Sequence, residues 1–282
     1  MPELDLAGLG RGASIVVLYA VMILLAKWIR QLTTRHAVDR ELTVQDNVAM
    51  AISTAGYYAG VTIIFCGAYL GPSYGFIGDL TLVGGYTLLG LALLLIARAI
   101  NDGVVLTGYS ARDAIVRDQN HAAGIALGAN YIASALIVAG SIQGEGGGVI
   151  SALVFYVVGQ VALTVLAKLY DLITPYQLNR EIRDDNPAAA LGFGGNLIAL
   201  GLVVMAGTKG DFVSWTSNLS HFGLVCFGAV GYLAIVRLFF DKLVIAGADL
   251  NEEIARDRNV GAGLLEAGMA IGFGALLFFI LG

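Results

Sequence analysis

Apolar runs of membrane-crossing length, broken by bursts of charge, constrain this chain more than any other feature. They fall at residues 12–29, 48–70, 77–97, 122–141, 147–167, 188–207, 222–240 and 260–281. A helix rises about 1.5 Å per residue, so each run approaches or exceeds the roughly 30 Å of a bilayer's hydrocarbon. Only 13% of the residues are charged while 57% are hydrophobic, and the charges are clustered. A soluble domain would spread them over its helix surfaces. The expected fold class is therefore all-α: a polytopic membrane protein of about eight transmembrane helices, forming one integral domain over residues 1–282. The lipid bilayer is its first expected partner.

Lys and Arg set the expected orientation. Fourteen of the sixteen lie between spans 1 and 2, 3 and 4, 5 and 6, or 7 and 8, leaving Arg11 and Lys209 on the other side. By the positive-inside rule these connectors are cytoplasmic and both termini are outside. Asp and Glu crowd the same connectors, so that face is nearly neutral, and no basic patch suits a nucleic acid. The N-terminal MPELDLAGLGRGAS has no small-residue cleavage site, and the first span is expected to be retained. Cys66 and Cys226 fall inside spans without metal or redox spacing and read as buried, inert thiols.

The connectors repeat. Asn47, Asn120, Asn186 and Asn259 each stand just before an apolar span, at spacings of 73, 66 and 73 residues. Asn47 to Asn186 and Asn120 to Asn259 are both 139 residues. This is the pattern of a two-unit block duplicated into four tandem two-helix units, near 12–74, 75–145, 146–210 and 211–282, all entering the membrane in the same orientation. Four residues past each Asn stands Ala51, Gly124, Ala190 or Gly263, and eight past it Ala55, Gly128, Gly194 or Ala267. Small residues at this spacing let helix backbones approach closely in lipid. The even-numbered helices are thus expected inside and the Leu/Val/Ile-rich odd ones toward lipid. Asn is a favoured N-cap, and Pro187 follows Asn186 at the first helical position. The four Asn residues read as helix caps, with a place at the mouth of a permeation path as the alternative. Odd helices end in a basic residue followed by Asp: Arg98 with Asp102, Lys168 with Asp171, Arg237 with Asp241. At three or four residues apart these read as ion pairs on one helix face.

The unit ends VRDQNHAAGIALG (116–128), IRDDNPAAALGFGGN (182–196) and IARDRNVGAGLLEAG (254–268) resemble the YjfL-like family of bacterial inner-membrane proteins. The resemblance covers essentially the whole chain, with the first unit, VDRELTVQDNVAMAISTAG (38–56), the most divergent. It implies a bacterial inner-membrane location and a helical architecture. It implies no activity, so no site residues follow from it.

Ionisable groups inside a span are expensive and usually functional. Glu266 is the foremost candidate, about 10 Å into the last span by helical rise. Asn130 and Asn196 lie at related positions, and the first unit offers Ser53, Thr54 and Tyr57. Together they could form a polar layer, either an ion or proton site or hydrogen-bonding glue between helices. Gln160, His221, Asp79 and Glu145 are weaker candidates. LVGGYT (82–87) has the look of a potassium filter but occurs once, where a filter needs four such loops. No P-loop, HExxH, GxSxG or Cys/His cluster appears, so neither an enzyme nor a metal or cofactor is expected. Two functions stay open. One is a small-ion or proton-linked channel or transporter. The other is a non-transporting scaffold that docks a membrane or cytosolic partner, or another copy of itself, through its connectors.

Overall fold

Each connector ends in the same local structure, and that structure starts the helices of the core. In the computed structural model, which describes residues 6–34, 38–100, 111–239 and 249–282, the chain is helical throughout apart from its turns. The order is α1 (Leu6–Thr33), α2 (Val38–Thr43), α3 (Val48–Tyr69), α4 (Phe76–Ile100), α5 (Ala111–Val116), α6 (His121–Ile142), α7 (Gly148–Ile173), α8 (Leu178–Arg183), α9 (Pro187–Thr208), α10 (Trp215–Phe239), a π-helical turn (Glu252–Arg256) and α11 (Val260–Leu281).

Seven of the long helices are long and apolar enough to cross a membrane among the described residues. The eighth expected span, 222–240, falls on α10. That helix opens on the polar run Thr216, Ser217, Asn218, Ser220 and His221, and residue 240 lies outside the described part.

Before α3, α6, α9 and α11, a residue takes positive φ: Asp46 at 49°, Gln119 at 49°, Asp185 at 52° and Arg258 at 50°. This left-handed residue stops the short helix and turns the chain. The Asn that follows donates its backbone N–H to the short helix: Asn47 to Glu41 O, Asn120 to Ala114 O, Asn186 to Glu181 O and Asn259 to Glu253 O. Its side-chain oxygen accepts from the first turn of the long helix, as from Met50 N at 2.9 Å and from Ala123 N at 2.6 Å. All four Asn residues are N-caps.

The same Asn side chains also bind the units together. Asn47 Nδ2 donates to Ile115 O at 2.9 Å, Asn120 Nδ2 to Ile182 O at 2.8 Å, and Asn186 Nδ2 to Ile254 O at 2.9 Å. Each unit thus holds the short connector helix of the next. These three are buried, while Asn259 is exposed and its Nδ2 bonds within its own unit, to Glu253 Oε2.

The long helices that follow form a row, α3 on α6, α6 on α9 and α9 on α11. Small residues allow it. A Cβ on Gly56 would come 2.4 Å from Gly128 Cα, and one on Gly263 2.4 Å from Ala188 O. Around this row α4 straddles α3 and α6, α7 straddles α6 and α9, α10 lies mainly on α9, and α1 lies against α3 and α4. α6 and α9 are interior, as expected of even helices. α3 and α11 are only partly so, because they are the edges of the row. Ala51 and Ala55 on α3, and Gly268 and Gly272 on α11, are exposed. The odd helices turn residues such as Val157, Val161, Leu224 and Phe227 outward. Cys66 is also exposed and Cys226 half-buried, so neither is the core thiol expected from its place in a span.

One face of the row carries no outer helix among the described residues. It is a groove of about 570 Å³ lined by all four central helices. Its ridges repeat by unit: Ile52, Ile125, Leu191 and Leu264 stand five residues past their Asn, with Gly56, Ala129, Gly195 and Gly268 one turn on.

Two stability predictions follow from this architecture. Asn186→Ala removes a cap and leaves the buried Ile254 carbonyl without its donor, and should cost about 2–4 kcal/mol. Asn259→Ala removes only a cap and should cost about 1 kcal/mol. A Cβ on Gly195 would meet Ala267 Cα at 2.2 Å, whereas one on Gly268 meets nothing within 4 Å. Gly195→Val should therefore destabilise by about 1–3 kcal/mol or more, and Gly268→Val should be nearly silent. Thermal unfolding in detergent micelles measures both contrasts.

Candidate functional site

Glu266 is 1% exposed, on the face of α11 turned toward α9 and α7. The tyrosine hydroxyl of Tyr170, from α7, donates to Glu266 Oε1 at 2.9 Å. Asn196 Nδ2, from α9, donates to the same oxygen at 3.2 Å and also to Gly192 O at 2.9 Å. Gly192 makes the space: a Cβ there would lie 2.6 Å from Glu266 Oε2. Beside it, Tyr232 of α10 donates to Ala270 O on α11 at 3.0 Å. A carboxylic group is thus enclosed within the bundle and held by donors from two other helices. Such a site can take up a proton or, deprotonated, hold a cation.

The other expected members of a polar layer are not all gathered here. Thr54 and Tyr57 belong to a second pocket, between α1, α3 and α6. Its centre is Arg30, 4% exposed in the last turn of α1. Arg30 Nη2 donates to Thr54 Oγ1 at 3.0 Å and Ser53 Oγ at 3.3 Å. Its guanidinium lies 5.0 Å from the Tyr57 ring centroid and 5.6 Å from that of Tyr131, within cation–π range. Tyr57 itself donates to Ala26 O on α1 at 3.1 Å. Asn130 is buried on α6, with its Nδ2 bonded to nothing among the described residues. Gln160 accepts from Ser134 at 3.4 Å.

The two pockets occupy corresponding places in the duplicated halves. With a shift of 139 residues, Leu127 becomes Glu266, Tyr57 becomes Asn196, Ser53 becomes Gly192 and Tyr131 becomes Ala270. One half buries a cation and the other an acid at the same point of the fold. Sequence reading placed Arg30 in a connector. Its position at the end of an apolar run, three residues from Lys27, hid that α1 continues to Thr33 and carries it inside. Tyr170 was missed for a similar reason, since an aromatic at a helix end reads as an interfacial anchor.

The basic–acidic pairs are less uniform than their spacing suggests. Asp171 takes a hydrogen bond from the Leu178 backbone, and among the described residues Lys168 and Asp171 form no ion pair. Asp102, Asp241 and the Arg237 side chain lie outside the described residues. Arg98 lines the Arg30 pocket. Asp79 accepts from Ser73 Oγ and Tyr74 N, both at 2.8 Å, and so fastens the turn before α4.

Comparison with known proteins agrees with this duplicated build. One family profile matches twice, over residues 3–142 and again over 145–281. The chain belongs to the family described as Domain of Unknown Function (DUF350). A curated relative, the UPF0719 transmembrane protein of Aquifex aeolicus (strain VF5), is 22% identical over 219 residues, covering 74% of this chain and 79% of the relative. No solved structure matches the chain significantly. The family matches name a transmembrane protein and no activity, so the site's chemistry rests on its own geometry.

That geometry is open to a double-mutant cycle. Tyr170→Phe takes one donor from the buried Glu266 carboxyl and should destabilise by about 1–3 kcal/mol. In a Glu266→Leu background the same change should cost much less, because the acceptor is gone. Equal costs in both backgrounds would show that Tyr170 does not act through Glu266.

Proposed function

We propose that this membrane protein moves protons or a small cation across the bilayer, with Glu266 as the group that takes them up. The observation that carries this reading is the Glu266 carboxyl, 1% exposed inside a span and hydrogen-bonded by Tyr170 and Asn196. A structural helix contact has little use for so costly a group, since Asn and Ser would hydrogen-bond as well at less desolvation cost. The close backbone contacts along α3, α6, α9 and α11 leave no room for a standing pore between them. They favour a carrier that exposes Glu266 by moving an outer helix, with α7 and α10 the ones that supply Tyr170 and Tyr232. The Lys and Arg distribution supports connectors on the cytoplasmic side and both termini outside, and the resemblance of the unit ends to the YjfL-like proteins supports a bacterial inner-membrane setting.

A second reading is a non-transporting scaffold or accessory subunit. The uncovered apolar groove favours it, because a regular ridge of Ile and Leu across four units is a surface another membrane helix could fill.

The test is flux in liposomes reconstituted with purified protein, measured for protons, potassium and sodium under a set membrane potential. Wild type should carry at least one of these, and Glu266→Gln, which keeps the shape and removes the titrating group, should lower the rate at least tenfold or abolish its pH dependence. Flux indifferent to Glu266→Gln would remove Glu266 from the path. If wild type moves none of the three, the scaffold reading takes precedence.

A further inference from the structure

Arg30 poses a problem that the Glu266 reading does not address. Arginine keeps its charge in proteins. Here it is 4% exposed, and no carboxylate of the described residues pairs with it. Its compensation comes from two neutral hydroxyls, Ser53 and Thr54, and the faces of Tyr57 and Tyr131. Its Nε is buried and bonded to nothing among the described residues. An isolated buried charge is costly unless a counter-charge reaches it.

Next to it lies a cavity of about 20 Å³, with Arg30, Ser53, Arg98, Leu127 and Tyr131 in its walls. Among the described residues the lining contains no Asp or Glu. Arg98 also engages another group, and Arg30 and Arg98 both line the cavity. The space is small, on the scale of a single water-sized occupant. We propose that this cavity is a binding site for a single halide-sized anion, chloride being the physiological candidate, held by Arg30 with Ser53 and Arg98 beside it.

The duplicated half supports the assignment. The residue that corresponds to Leu127 is Glu266, so the second half carries at this point a built-in carboxyl where the first half has an apolar wall and a space. Leu127→Glu should therefore supply Arg30 with a tethered anion and make the free one redundant. This inference is independent of transport through Glu266, which lies in the other half.

Equilibrium dialysis of the purified protein against radiolabelled chloride, at constant ionic strength balanced with gluconate, tests it. Wild type should bind about one chloride per chain, given room for one occupant, and bromide should compete while sulfate and phosphate do not. Thermal unfolding should shift upward with chloride relative to gluconate, as expected for a ligand of the folded state. Arg30→Gln should lose the binding. Leu127→Glu should lose it too while keeping the fold, which guards the test against a misfolded Arg30 variant. No chloride binding by wild type, or binding and a thermal shift unchanged in Leu127→Glu, would overturn the site. Retention of phosphate in preference to chloride would overturn its assignment to a halide.

Discussion

Backbone-to-backbone contact between neighbouring central helices is the constraint from which the rest of this structure descends. Lipid is as apolar as the side chains, so burying Leu or Val gives no reason for two spans to pair. What does is dispersion between surfaces close enough to touch over their length, together with hydrogen bonds made where they meet. Gly56 against Gly128, Gly201 against Ala133 and Gly263 against Ala188 supply that closeness at successive seams. Once the row is set, the seams offer grooves in which α4 and α7 lie. Tyrosines then fasten the outer layer, Tyr57 reaching the Ala26 carbonyl and Tyr156 that of Leu93.

The asparagines fix the register of these seams. A row of smooth, small-faced helices could slide, because Ala and Gly offer few knobs to resist it. The amides of Asn47, Asn120 and Asn186, each anchored at a helix start and bonded to a backbone carbonyl in the following unit, prevent the slip at the connector end. Asp185 adds to this by accepting from Ala122 N, with His121 alongside at 3.2 Å. The polar pockets are built on this rigid register. Glu266 and Arg30 can be enclosed because the surrounding helices are held within hydrogen-bonding distance of them.

Much of this was legible in the sequence. The spans, the four-unit repeat, the Asn caps and the small-residue faces all follow from local spacing, which is what a sequence displays. The burial of Glu266 was legible for the same reason, since its offset from Gly263 puts it on the packing face. The division into two pockets was not. It depends on which helix lies over which seam, and nothing in the spacing of Thr54 or Asn196 says that one meets Arg30 and the other Glu266. Arg30 itself looked like a connector charge because α1 runs several residues beyond its apolar stretch. The open groove was equally hidden, because a row and a closed four-helix bundle have the same periodicity along each helix.

The inter-unit bonds of the asparagines all run one way, Asn47, Asn120 and Asn186 each donating to the unit after its own. The row therefore has a direction: Asn47 donates onward to Ile115 O, while Asn259 Nδ2 bonds within its own unit, to Glu253 Oε2. A chain of this kind can lengthen by whole units at its C-terminal end without redesigning any existing seam. It cannot be shortened from the N-terminal end without orphaning the Ile115 carbonyl. The architecture is modular, which makes the number of units a property that gene duplication can change in steps while the chemistry inside each seam drifts independently.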